Sequence, residues 1–528
     1  MANGKIKITA IFLCAVLVLC ACAAPGAIQN GESDPDDGIA TGQQVQVHVS
    51  ADNIFSVAYE PGRGINPIIA RSAANLQFAS LIYDFVYTVD ENFNVSSEVV
   101  KSATTEDNSW WVFTVDTDIK FSDGSSLTAA DVAYSIQRAM QVEHYAGRLS
   151  CVYGIGAFGE DTFAITSIPA NSQLPSLLNI PIIKKDSIAE DFPIGTGPYK
   201  LADDGESLVL SQYSRRAGEM PIETVYLCPV ADNQQKIASF ESARLDIVTN
   251  DPTGMNNLGY GSSNDKRFYD TTNMHYIGYN LQSNFFQNYG CRYAVSFAID
   301  RALIVQDYMQ AVGIEATLPV HPASALYDGD YAQRFYFDPE KAFDIFTTAG
   351  VADHDNDGAL EVVVTGIIVE INLKFIVNTD SSVKLRAARK IAETLNEMGI
   401  TTTLYEMQWA DYEAALLSGD YDMYYGEMRL TPDWNISMLF EEEGLMNYAK
   451  CRDPHYTALY ETYLASGEAE RYGNFQAACG YVTETGFITP ICFEKREILS
   501  RRGALTGIKA TQYDLFNKFS DWTINLEG

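Results

Sequence analysis

The sequence predicts an α/β protein with more than one hydrophobic core. Three observations carry this. Trp110 to Arg138 reads as strand, turn and helix. Phe375 to Glu427 alternates strand, helix, strand, helix and strand at a spacing that implies a parallel α/β lobe. The chain has 528 residues, too many for one core, so two or three subdomains are expected.

In the first stretch, Trp111, Phe113 and Val115 alternate with Val112 and Thr114, as in a half-buried strand. Ser122-Asp123-Gly124-Ser125 supplies turn chemistry. Thr128 then stands as N-cap with Asp131 three residues on, the acidic half of a capping box, and Leu127 and Val132 fit a hydrophobic staple. Val132, Ile136, Ala139 and Met140 mark one helical face.

At the start of the chain, Lys5 and Lys7 precede an apolar run from Ile8 to Leu19. It is too short to span a bilayer comfortably and suits the core of a signal peptide. Leu19-Cys20-Ala21-Cys22 matches a bacterial lipobox, which makes Cys22 the lipidated residue and the mature N-terminus. An ordinary secretory signal is the alternative. Residues 23–44 are rich in Gly, Asp, Pro, Ser and Gln and read as a flexible tether, with a reach of roughly 25 Å. No later apolar run approaches membrane length.

Asp and Glu total 69 against 36 Lys and Arg, for a net charge of −33. Such a surface argues against nucleic acid as a partner, because phosphate contacts need basic groups. The cysteines beyond the export segment are scattered without a C-x-x-C, which disfavours zinc.

Further elements follow in order. Val45 to Val49 is a first strand, Ser72 to Phe85 a helix, and Asp161 to Ile168 a strand. Gly154 to Gly159 spells G-x-G-x-x-G, but no helix N-terminus follows to meet a pyrophosphate, so it reads as a Gly-rich turn. Arg292 to Gln310 forms two helical pieces. Asp338 caps a helix with Pro339 at its first position. Phe375 to Val377, Thr402 to Met407 and Tyr421 to Glu427 are strands, with helices Ser382 to Met398 and Ala410 to Ser418 between them.

The wording of several stretches is similar to the family 5 extracellular solute-binding proteins, the peptide- and nickel-binding receptors of ABC importers. The resemblance rests first on Trp111 through Phe121, Asp123, Gly124, Leu127, Thr128, Asp131 and Tyr134 to Arg138. It continues through Pro193-Ile194-Gly195-Thr196-Gly197-Pro198-Tyr199, Ala298-Ile299-Asp300-Arg301 and Asp338-Pro339-Glu340-Lys341-Ala342. Departures are Val115 for Leu, Asp118 for a common Gly, and Ala243 for Gly.

This resemblance implies a bilobal, periplasmic-binding-protein-like fold of class II type, with three subdomains and a hinged cleft. The expected division is 45–70, 191–275 and 486–528 for a discontinuous first lobe, 71–190 for subdomain II and 276–485 for lobe III, after a signal peptide over 1–22 and a tether over 23–44. It implies a lipid-anchored, monomeric receptor at the outer face of the membrane or in the periplasm, working with a permease and an ATPase. The expected ligand is a peptide or related carboxylate-bearing solute, with a non-peptide organic anion or metal chelate as alternatives. A sensor or chaperone using the same fold is the alternative function.

No G-x-S-x-G or H-E-x-x-H motif is present, and no enzyme activity and no cofactor are expected. Asp353, Asp355 and Asp357 with Gly358 resemble the first half of a calcium loop, yet position 12 is Val364 instead of Glu. A solvated turn is expected there. In oligopeptide-binding relatives an Asp after the "Y-D-M" strand pairs with the peptide amine. Counting from Tyr421-Asp422-Met423 without gaps puts Thr431 there and Arg429 two residues before it. A second ligand-facing position, counted from Asn66-Pro67, falls on Arg71. Both arginines are expected to meet a ligand carboxylate, since a guanidinium binds one bidentately; the alternative is that they are solvated or pair with Glu427 or Asp433. Tyr145, Trp409, Asp433 and Trp434 are candidate cleft walls or core residues.

Overall fold

The computed structural model describes residues 54–526 except 255, 256, 262 and 443. The export segment with Cys22, the tether and the strand expected at Val45 to Val49 lie outside the described residues.

Two long antiparallel strands, Asp265–Tyr279 and Ile488–Ser500, organise the molecule. They pair from Asp265↔Ser500 to Gly278↔Ile488, with register breaks between Asp270 and Met274 and between His275 and Tyr276. Their inner halves belong to the larger core, through Met274, Tyr276, Ile277, Ile491 and Phe493. Beyond the break, Ile498 belongs to a second core and Tyr269 packs against it. The pair therefore runs from one core into the other.

The larger core is built around a mixed sheet. Met423–Arg429 pairs antiparallel with Asp265–Tyr279, and Leu373–Asn378 lies parallel to both Met423–Arg429 and Thr402–Met407. Helices Ser382–Glu397 and Trp409–Ser418 make the crossovers expected between parallel strands. Ala388, Ile391 and Leu395 face inward, and Gly419 ends the second helix at φ 76°.

The second core collects a four-stranded sheet of Phe55–Tyr59, Thr224–Pro229, Ser207–Leu210 and Tyr199–Leu201, and another in the order 100–105, 110–115, 162–167 and 152–158. Trp110–Val115 is the predicted strand, and helix Ala129–Ala139 follows it. The capping box is formed: Asp131 accepts the Thr128 N–H at 2.9 Å, and its other oxygen accepts the Lys185 N–H at 2.8 Å. Leu127 and Val132 of the staple are fully buried.

Two expectations are corrected. Ser72 to Phe85 is not one helix but two short ones, Ala73–Gln77 and Ala79–Ile82, after which Tyr83 is extended. A long-range crossing ends the second of them: the Ile82 carbonyl accepts the Gly197 N–H at 2.8 Å, and the Val86 N–H goes to Ile180 O at 2.9 Å. A Cβ at Gly195 would lie 2.1 Å from the Ile82 oxygen, so only glycine fits. The G-x-G-x-x-G segment is mostly strand. Val152–Phe158 pairs with Thr162–Ser167, and only Gly159, at φ 72°, serves the turn.

At the register break the crossing strands are pinned by polar groups. Thr271 Oγ1 donates to Glu494 O at 2.8 Å and Thr272 Oγ1 to Leu430 O at 2.6 Å. His275, fully buried, lies between Tyr425 Oη at 3.0 Å and Glu494 Oε2 at 3.4 Å. Thr253 donates to Glu494 at 2.8 Å, and Arg496 bridges Glu494 at 3.0 Å and Asp251 at 2.6 Å. Burial pushes the Glu494 carboxyl up, but His275, Arg496 and Asn273 outweigh it and hold the pKa at about 2. A depressed carboxylate stabilises the fold above its unfolded pKa, about 4.3, and that contribution is lost as pH falls toward the folded value. Glu494→Gln is expected to remove on the order of 3 kcal/mol from the loss of stability between pH 5 and pH 2. Urea unfolding across that range measures it, and identical slopes for the two proteins would contradict the assignment.

Candidate functional site

A cavity of about 780 Å³ lies between the two cores. One wall carries Pro67, Ala73, Leu76, Gln77, Ala79, Ser80 and Phe85, then His144, Tyr145 and Arg148, and finally Thr511 to Leu515. The facing wall runs from Arg429 through Thr431 and Asn435 to Leu445. A more polar chamber of about 530 Å³ shares Gln77, Thr249, Tyr269, Arg429 and Gln512 with it and reaches the pinned break at Asn273, Glu494 and Arg496. A side chamber of about 230 Å³ shares Arg148, Thr431 and Glu441.

Arg429 ends strand Met423–Arg429, opposite Asn273. It is exposed, and its guanidinium sits 6.0 Å from the Tyr513 ring centre. Among the described residues no carboxylate pairs with it. The two acids expected to compete for it are occupied: Glu427 pairs with Lys384 and accepts from Asn273, and Asp433 accepts from Thr431 Oγ1 at 2.5 Å and Asn171 at 3.5 Å.

Arg148 was not singled out by the sequence. It is partly buried, donates through Nη2 to Asn179 O at 2.9 Å, and lies 5.2 Å from the Tyr145 ring centre. Its Nε is buried without an acceptor, and among the described residues it too pairs with no carboxylate. Tyr145 is fixed by its own hydroxyl, which donates to Pro67 O at 3.2 Å. Burial lowers the His144 pKa, and Arg148 and Arg429 lower it further. Burial raises Tyr145 to about 12 against the pull of the same two arginines. The cavity therefore has a cationic end built of aromatic rings and guanidinium groups.

The other candidates are placed differently. Arg71 is exposed and is not part of the cavity walls. Trp409 is 53% exposed at the start of its helix, beside Tyr412, and is also outside the walls. Trp434 is 2% exposed, with Phe93 5.1 Å and Phe493 6.0 Å away, and belongs to the core. Asp433, also 2% exposed, borders only the side chamber. Burial raises its pKa. Thr431 lines the main cavity and the side chamber, its hydroxyl committed to Asp433.

Two clusters could hold a metal by geometry. Asp353, Asp355 and Asp357 converge with Glu361, their oxygens within 4.8 Å of one another. Glu361, not residue 364, supplies the fourth carboxylate, and it already accepts the His354 N–H at 2.7 Å. The three aspartates also bind loop N–H groups, such as Gly358 to Asp353 at 3.1 Å, as a self-closed turn does. The second cluster, His275, Glu427 and Glu494, is already neutralised by Lys384 and Arg496.

Comparison with known proteins fits this architecture. The chain is 23% identical over 369 residues to the oligopeptide-binding protein AppA of Bacillus subtilis, covering 65% of this chain and 67% of that one. It is 24% identical over 335 residues to the glutathione-binding protein GsiB of Escherichia coli, covering 59% and 64%. The B. subtilis AppA structure, in complex with a nonapeptide, superposes with a TM-score of 0.58 at 18% identity, over 89% of this chain and 98% of that one. A putative peptide-binding AppA from Clostridium difficile gives 0.68 at 18% identity, over 89% and 100%. The model of the bacterial extracellular solute-binding proteins, family 5 (middle region), matches residues 94–450, and the chain belongs to that family.

Proposed function

We propose that this chain is the solute-capturing component of an ABC importer, taking peptides or another small carboxylate-bearing solute into the cleft between its cores. The observation that carries the reading is Arg429, a guanidinium on the wall of a 780 Å³ cavity with no carboxylate partner among the described residues. An unneutralised cation beside aromatic walls is a ready anion site. Tyr145 and Thr431 border it. Relatives whose names include oligopeptide and glutathione binding support a peptide as ligand. Main-chain hydrogen bonds to an extended peptide would tolerate many side chains. The lobes would close by hinge motion about the crossing strands, and the closed form would dock on the permease. The protein acts by capture and release, without chemistry on the solute. A non-peptide organic anion is the second reading, favoured by Thr431 where a peptide amine would need a carboxylate.

In this reading the chain is exported, and a lipid on Cys22 holds it at the outer face of the membrane. The tether over 23–44 gives the monomeric body its reach. The strongly acidic surface leaves nucleic acid out as a partner.

Arg429→Ala is expected to weaken binding of the solute that co-purifies with the protein by about thirtyfold, the scale of a charge-assisted contact. Calorimetry on refolded, ligand-free protein measures this, and unchanged affinity would remove Arg429 from the site. Cys22→Ala is expected to abolish labelling by radioactive palmitate and to release the protein from the membrane fraction. An unlabelled wild-type protein would refute the anchor.

A further inference from the structure

Arg429 does not stand alone at its end of the cavity. Arg148 lines the same space, and its Nε is buried without an acceptor. The fields of the two guanidinium groups overlap, since both act on His144, Tyr145 and Tyr513, and Arg429 repels Arg148 directly. Other cations have their partners: Arg496 pairs with Asp251 and Glu494, Lys384 with Glu427, and the guanidinium groups of the buried Arg292 and Arg301 donate to backbone carbonyls. Here the acids on the same walls are spent or distant in effect. Asp514 is bound to Ser80 Oγ at 2.5 Å and its pKa is raised by burial. Glu441 is exposed and pairs with neither guanidinium. Two neighbouring guanidiniums without an internal counter-charge repel each other until anions arrive, and each can clasp one carboxylate bidentately.

We propose that this end of the site is built for two carboxylates carried close together on one solute, and that Arg148 is the residue that selects for the second. The inference rests on reading the cleft as an anion-binding solute site. A peptide ending in Asp or Glu presents this pair of charges, as does a free dicarboxylic acid. A peptide with a single terminal carboxylate fills Arg429 and leaves Arg148 unpaired.

The test uses two matched pairs on the whole, refolded protein: Ala-Ala-Ala against Ala-Ala-Glu, and valerate against glutarate, by calorimetry. The diacid of at least one pair is expected to bind about thirtyfold more tightly than its monoacid. Arg148→Gln is expected to erase that preference, bringing the affinity for the diacid down to about that for the monoacid. Arg148→Lys, which keeps the charge but not the fork, is expected to retain part of it. Thermal melts of both variants establish that they fold. Equal affinity for monoacid and diacid, or a preference unchanged in Arg148→Gln, would overturn the two-carboxylate inference and leave the anion-binding reading standing. No binding of any of the four would overturn both.

Discussion

The pairing of Asp265–Tyr279 with Ile488–Ser500 is the constraint on which the rest depends. These strands are shared between two cores, so neither core can move without flexing them. The ladder is broken at residues 271–273, and side chains take over the bonding there: Thr271, Thr272, His275 and Glu494. A register break kinks the strand and relieves it of continuous pairing. It also brings a buried charged network to the floor of the 530 Å³ chamber, where Glu494 and Arg496 form part of the wall. The strands that pass between the cores therefore also line this chamber.

The electrostatics of the cleft oppose those of the chain. The protein carries a net charge of −33, yet the end of its 780 Å³ cavity holds Arg148 and Arg429 without carboxylate partners among the described residues. Long-range repulsion from so acidic a surface is largely screened at physiological ionic strength, because the Debye length is about 8 Å. Contacts inside the cleft are screened less. In the proposed reading, local guanidinium groups therefore decide what sign of charge is held, and the overall charge does not.

What could be read from the sequence was mainly local. The Trp110–Arg138 unit was legible because a capping box and a staple act within a few residues, and the α/β alternation from 373 to 429 was legible because strand and helix periods differ. Arg429 could be found because it lies a short count from Tyr421-Asp422-Met423. The end of the second short helix at Ile82 could not be read, because Gly195 and Gly197, more than a hundred residues away, press on residues 81–83. Arg148 was missed for the same reason: only tertiary approach of Asn179, Tyr145 and Tyr513 makes it a wall. Its position three residues after Tyr145, just beyond the helix Glu143–Ala146, was the available signal. Trp434 was ambiguous in sequence, and its place in the core follows from Phe93, the tip of a distant hairpin, packing against it.

The central claim is that an anion, held by guanidinium groups, occupies the cleft between the cores. The most direct measurement is to denature the protein purified from its native source and identify the released small molecules by mass spectrometry. The account predicts solutes bearing carboxylates, peptides among them, and their absence from the Arg429→Ala protein purified in parallel. A neutral or cationic solute, retained equally by both proteins, would contradict it.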